Sequence, residues 1–219
     1  MRTIKKVASH IFIDGFGGMT QGLFATLIIG TMIQQIGLLI GGSTGNVIYL
    51  LGKAAAALTS AGIGVGVAVK YGESPLVTVS AAVAAMVGGY AGKITGGTFF
   101  VDGNAVLAGP GEPLGAFIAA FAGITCGHLV SGKTKVDIIV TPVITIGAGS
   151  VVGLLVGPPI SQMMTGLGSI INWATEQRPF IMGIVVSVVM GMVLTLPISS
   201  AALGIILNLS GLAAGAATI

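Results

Sequence analysis

Charged residues in this chain fall almost entirely between long apolar runs, and that pattern admits few folds. A helix that crosses a bilayer needs about 20 mostly apolar residues. Cut at charges and at Gly, Pro and Asn clusters, the sequence offers runs at 17–40, 47–69, 76–92, 114–130, 136–156, 180–196 and 198–218. Only 7% of its 219 residues are Asp, Glu, Lys or Arg, and 54% are apolar. A soluble domain carries about 25% charged residues. The expected fold is therefore an all-α integral membrane protein, a polytopic bundle of about seven to eight helices forming one membrane-embedded domain over 1–219. Residues 160–175, with Gln162, Asn172 and the lone Trp173, are expected to lie flat or half-inserted at the headgroup level, which tryptophan favours.

The net charge of +3 comes from too few groups to indicate nucleic acid, and its placement bears on topology. Lys and Arg near span ends accumulate on the cytoplasmic side. Arg2, Lys5 and Lys6 place the amino terminus there, and successive crossings put Lys70 to Glu73 inside, 93–104 outside, and Lys133 and Lys135 inside. Lys93 and Arg178 fall outside on this count, and Lys53 falls within a span. The basic start lacks a small-residue cleavage site, so no removable signal is read. The single cysteine, Cys126, excludes an internal disulfide and a CxxC pair. With no Walker loop, no metal-spaced cluster and no Ser-His-Asp ordering, the expectation is no catalytic residues, no metal and no cofactor.

The 37 glycines suit close helix packing. Three places predict breaks at membrane depth: Ala108-Gly109-Pro110-Gly111-Glu112-Pro113-Leu114-Gly115, Gly157-Pro158-Pro159, and Leu194-Thr195-Leu196-Pro197-Ile198-Ser199-Ser200. Irregular backbone there is tolerated only inside protein or beside a watery cavity, and interrupted spans point to transporter binding sites. The stretch 93–104, ending at Asn104, predicts a re-entrant hairpin dipping into the domain. Glu112, before Pro113 at a helix start, reads either as a helix cap or as an intramembrane acid that binds a polar solute. Gln21, Thr31 and Gln35 form a polar stripe expected to face inward, as interhelical glue or as a solute-lining face. His10 and Asp14 read as a pair at the cytoplasmic interface. His128 lies near the inner end of the fourth span and should not touch Glu112.

Three segments, Ser9-His10-Ile11-Phe12-Ile13-Asp14-Gly15-Phe16-Gly17-Gly18-Met19-Thr20-Gln21-Gly22-Leu23, the 109–115 turn, and Leu196-Pro197-Ile198-Ser199-Ser200-Ala201-Ala202-Leu203, make the chain resemble the membrane permease component (IIC) of the bacterial sugar phosphotransferase system. The resemblance is to the branch that includes toxin-regulator membrane proteins. It implies a sugar or polyol permease subunit in the bacterial inner (cytoplasmic) membrane, working as a homodimer with IIA and IIB proteins that supply phosphorylation. Permeases of this kind hold sugar with a glutamate and a histidine. Glu112 matches the glutamate, although its Gly-Glu-Pro setting differs from the usual Ile-Thr-Glu. The substrate-binding candidates are Glu112, Gln21, Gln35, Thr31, Asn104, His128 and Ser199. Members of this branch continue past the apolar run in which this chain stops, so a truncated form or a short relative completed by dimerisation is expected. The rival readings are a membrane sensor that keeps the permease fold and an ion-coupled transporter using Asp102 or Glu112.

Overall fold

A computed structural model of the protein describes residues 10–107 and 109–175, together with 183, 184, 187, 188 and 191. Its contacts cluster into two compact units, Met1–Pro158 and Pro159–Ile219. The described chain is helical except for one small hairpin. The runs 180–196 and 198–218, and the break at 196–200, lie outside the described residues apart from the five positions named.

The first crossing, Ile13–Ile40, consists of α1 (Phe16–Leu23), a π segment (Phe24–Ile28) and α2 (Ile29–Ile40). It turns back at Gly41, whose φ of +67° and successor Gly42 at +63° suit glycine, which lacks the Cβ penalty of left-handed backbone. The return crossing is α3 (Gly42–Ala57) and α4 (Thr59–Lys70), bent by 53° at Leu58. The two crossings zip together through glycines. A Cβ on Gly18 or Gly22 would strike the backbone of Gly66 or Gly62 in α4, and one on Gly30 or Gly37 would strike Gly52 or Gly45 in α3. Lipid gives helices no hydrophobic reason to associate, so van der Waals contact at this range holds the pair.

Next comes α5 (Pro75–Gly89), started by the Ser74 cap on Val77 N at 3.4 Å and by Pro75 in the first turn, both standard helix starters. It was expected to cross as 76–92. At 15 residues it rises about 22 Å, short of a hydrocarbon core of about 30 Å. After α6 (Ala91–Thr95) the chain forms a hairpin, β1 (Phe100–Val101) against β2 (Asn104–Ala105). Asp102 and Gly103, both at positive φ, make its primed two-residue turn. Then α7 (Pro113–Val130) runs antiparallel to α5, with Gly88 against Gly115 and Val77 near Gly127. Finally α8 spans Asp137–Thr175, packing Gly149 and Gly153 on Ala119 of α7. The core between α4, α5 and α7 is built of small residues: Ala81, Ala84, Ala85, Ala116, Ala119 and Ala120 are fully buried.

Two expectations need correction. The helix α8 passes through Gly157-Pro158-Pro159 without ending. The prolines remove the amide donors for the Leu154 and Leu155 carbonyls, a local loss that the flanking turns outlast, and 160–175 continues the helix instead of starting a separate interfacial one. The segment 93–112 does fold back without crossing, leaving beside Gly89 and returning to it through Glu112 N to Gly89 O at 2.7 Å. Its hairpin does not dip inward, however. Phe100 and Val101 are 60% and 51% exposed, and only 109–112 enters the bundle.

Candidate functional site

Departures from regular helix gather at one level, halfway along the two long crossings. On the first crossing the π segment Phe24–Ile28 occupies the middle, and on the second the break at Leu58 does. Contacts of Gly22 and Thr26 with Gly62 set them at the same height. At Leu58 the amide bonds to Ala55 O at 3.2 Å and Thr59 Oγ1 donates to Ala56 O at 2.6 Å. The last turn of α3 is thereby tightened and its carbonyls are occupied. Tyr90, where α5 gives way to α6, donates its hydroxyl across the break to Ala57 O at 3.2 Å and also reaches Gly109 O. Ser60 Oγ donates to Pro110 O at 2.9 Å. Gly157 of α8 packs on Ala91 at this same height. Discontinuous segments meeting near mid-depth are how transporters build solute sites, and the carbonyls of Ala55, Ala56, Ala57, Gly109 and Pro110 here each have a protein partner, as burial away from water requires.

The 109–112 turn is dictated by its residues. Gly109 and Gly111 take φ of +80° and +76°, and a Cβ on Gly111 would collide with Ser60 Oγ. Pro110 and Pro113 bring no amide to be satisfied. Glu112 then caps α7 with both oxygens: Oε1 accepts from Leu114 N at 3.0 Å and Oε2 from Gly115 N at 2.5 Å. The helix cap is thus realised. A carboxylate has about four acceptor sites, and the two amides take two of them.

At the far end of α7, about 24 Å along the helix by its rise per residue, His128 Nδ1 sits 3.0 Å from Glu73 Oε1. With Tyr71, Phe121, Ile124, Thr125 and Leu129 they line an open cleft of about 430 Å³. The imidazole is 71% exposed and the carboxylate 9%. Burial, and then the Asp14 carboxylate, push the Tyr71 hydroxyl up to about 12. Glu73 and Tyr71 were weighed in the sequence only as loop residues. Nothing local marks a partner 55 positions away.

The other candidates do not converge on Glu112. Gln21 is exposed on α1 and Gln35 on α2, while Thr31 donates to Ile28 O at 2.8 Å. The expected single stripe does not run in one α-helical phase through the first crossing. The intervening π segment closes its bonds at i+5, so α-helical phase is not carried from Gln21 to Gln35. Asn104 is exposed on β2, its amide donating to Asp102 O at 3.3 Å. Ser199 lies outside the described residues. His10 and Asp14 share the π segment His10–Gly15 that opens the first crossing. Among the described residues no three His, Cys, Asp or Glu side chains gather where a metal could bind.

Compared with known families, residues 13–219 match the profile described as phosphotransferase system, EIIC. No curated protein and no solved structure matched the chain.

Proposed function

Because the chain belongs to the phosphotransferase system EIIC family, a family of multi-pass membrane permease subunits that take a sugar-like solute and work with IIA- and IIB-type partners, we propose that its own solute is a sugar or related polyol bound at the mid-level breaks beside Glu112. The observation that carries this reading is that the Leu58 break and Tyr90 are tied to the 109–112 turn, which ends at Glu112, a carboxylate whose acceptor sites are half used. Hydroxyl donors are what such a carboxylate lacks, and a polyol supplies several. Thr31 and Gln35, on the half of the pair above the breaks, are the further contacts proposed. His128, about 24 Å away, belongs to the opposite mouth of the path with Glu73, where a solute is passed on.

We place the protein in the bacterial inner membrane as a homodimer with its amino terminus in the cytoplasm. The turns at 71–74 and 131–136 lie at one end, joined by Ser74 Oγ and Ser131 Oγ at 3.0 Å. The start of the first crossing joins them, Gly15 packing on Tyr71. Lys70, Lys133 and Lys135 thus share an end with the start of the first crossing, which fits the basic bias of cytoplasmic loops.

The test is uptake by vesicles of radiolabelled hexoses and hexitols, with IIA- and IIB-type proteins present, with and without phosphoenolpyruvate. Accumulation of phosphorylated product only with phosphoenolpyruvate is expected. Accumulation of unmodified solute driven by an ion gradient would overturn the reading in favour of a secondary transporter.

A further inference from the structure

Above the breaks, the α2 and α3 pair carries most of its polar residues on one side. The glycine contact line runs from Gly18 and Gly22 through Gly30 and Gly37 on the first crossing, facing Gly66, Gly62, Gly52 and Gly45 on the second. At about 100° per residue, Gln34, Thr31 and Gln35 lie about 50° to 150° to one side of that line on α2. On α3, Tyr49, Lys53 and Asn46 lie about 50° to 110° from it. Since the helices are antiparallel, equal rotation on each leads to the same side of the pair. The opposite side carries Ile33, Ile36, Ile40, Ile48 and Leu51, with Thr44 as its one polar residue near the outer end. Further down the pair, in α1 and α4, the matching side holds Met19, Leu23, Ile63 and Val67, all at most 3% exposed. That side faces the bundle, and the polar side chains continue it above the Glu112 turn.

Lys53 is exposed, eleven residues into α3 and hence about 16 Å along it. That is deeper than a lysine stem can snorkel out of a hydrocarbon core of about 30 Å. Among the described residues no carboxylate pairs with it. An unpaired cation at that depth is costly against lipid, and such residues face a watery cavity or a pathway.

We propose that this polar face lines the aqueous route to the mid-level breaks, and that Lys53 draws in and contacts the acceptor oxygens of the solute. This rests on the permease reading and adds to it the position of the path and the electrostatic preference of its entrance. A cation about two turns below the amides of Gln35 and Asn46 on the same face adds to their donors, so it selects solutes rich in hydroxyl or carboxylate oxygen and disfavours cations.

The test needs no knowledge of the solute. In a Cys126→Ala background, Gln35→Cys, Asn46→Cys and Leu51→Cys are treated in membrane vesicles with two methanethiosulfonates, one bearing a sulfonate and one a trimethylammonium group. Each variant is first checked for a single species in mild detergent. Cysteines at 35 and 46 should react and the one at 51 should not. The sulfonate reagent should react severalfold faster relative to its rate with a free thiol, and Lys53→Gln should abolish that preference. Protection of both 35 and 46 would overturn the route, and crosslinking of either between copies would assign the face to a dimer interface instead. Reaction with a preference that Lys53→Gln leaves intact would overturn the role of Lys53. Failure of phosphoenolpyruvate to drive uptake would refute the phosphotransferase reading alone and leave the labelling pattern unchanged, so the two ideas fail separately.

Discussion

Replacing Glu112 with Gln separates its two roles, because the amide keeps the size of the side chain and one carbonyl oxygen. In the structure each carboxylate oxygen takes one amide of the first turn of α7, Leu114 N and Gly115 N. The Gln oxygen can hold one of these, while its NH₂ group cannot accept the other. Losing one cap bond together with the charge at the helix dipole should cost about 1 kcal/mol of stability. A solute hydroxyl donating to the carboxylate makes a charge-assisted bond worth about 1.5–3 kcal/mol, so its loss should weaken solute binding by about tenfold to a hundredfold. Binding of the transported hexose or hexitol and melting temperature would be measured side by side on purified wild type and Glu112→Gln. Modestly lowered stability with at least tenfold weaker binding supports the site. The same loss of stability with unchanged binding would refute it, leaving Glu112 as a helix cap only.

The zipper predicts that Gly22→Ala, which drives a Cβ into the Gly62 backbone, destabilises the purified protein by about 1–3 kcal/mol, as overpacking does. Gly147→Ala, inside α8 with open space around it, should leave the melting temperature unchanged or raise it slightly, since alanine favours helix over glycine. The Tyr71 hydroxyl, held up to about 12 by burial and Asp14, ionises near 10 in an unfolded chain. Between those values the folded state keeps a proton that the unfolded state has lost, so stability falls as the pH rises through that window. Tyr71→Phe should make the alkaline melting curve shallower there, and an identical curve would count against the burial of that hydroxyl. For topology, Ser43→Cys in the Cys126→Ala background should react with an impermeant maleimide only from the side opposite Lys133→Cys, and labelling of both from one side would reverse the crossing count.

Much of the helical scaffold was legible because its causes are local. The scarcity of charge dictates spans, Gly18 and Gly22 facing Gly62 and Gly66 announce a close helix pair, and Ser74-Pro75 and Glu112-Pro113 mark helix starts by chemistry that acts within three residues. Folding back of 93–112 could be read from its polarity alone, and the Asp102-Gly103 turn carried a hairpin signal that a search for breaks passed over. Gly157-Pro158-Pro159 misled because proline removes particular bonds without dictating that a helix stop.

The site was only half legible, for a different reason. Leu58 lies in Ala56-Ala57-Leu58-Thr59-Ser60, a stretch with neither glycine nor proline, and its break is held by groups distant in sequence: the Tyr90 hydroxyl on Ala57 O and Ser60 on Pro110 O. A helix opened at depth in a membrane must find a protein partner for every carbonyl it frees, so the cause of such a break lies on another segment. The same holds for Lys53. In the sequence it was an awkward charge inside a span. Its place became intelligible only when the glycine line showed which side of the pair it shares with Gln35 and Asn46, and that this side looks toward Glu112. Spans can be read from composition because lipid acts on each residue alone, whereas a solute path is a relation among surfaces that only packing brings together.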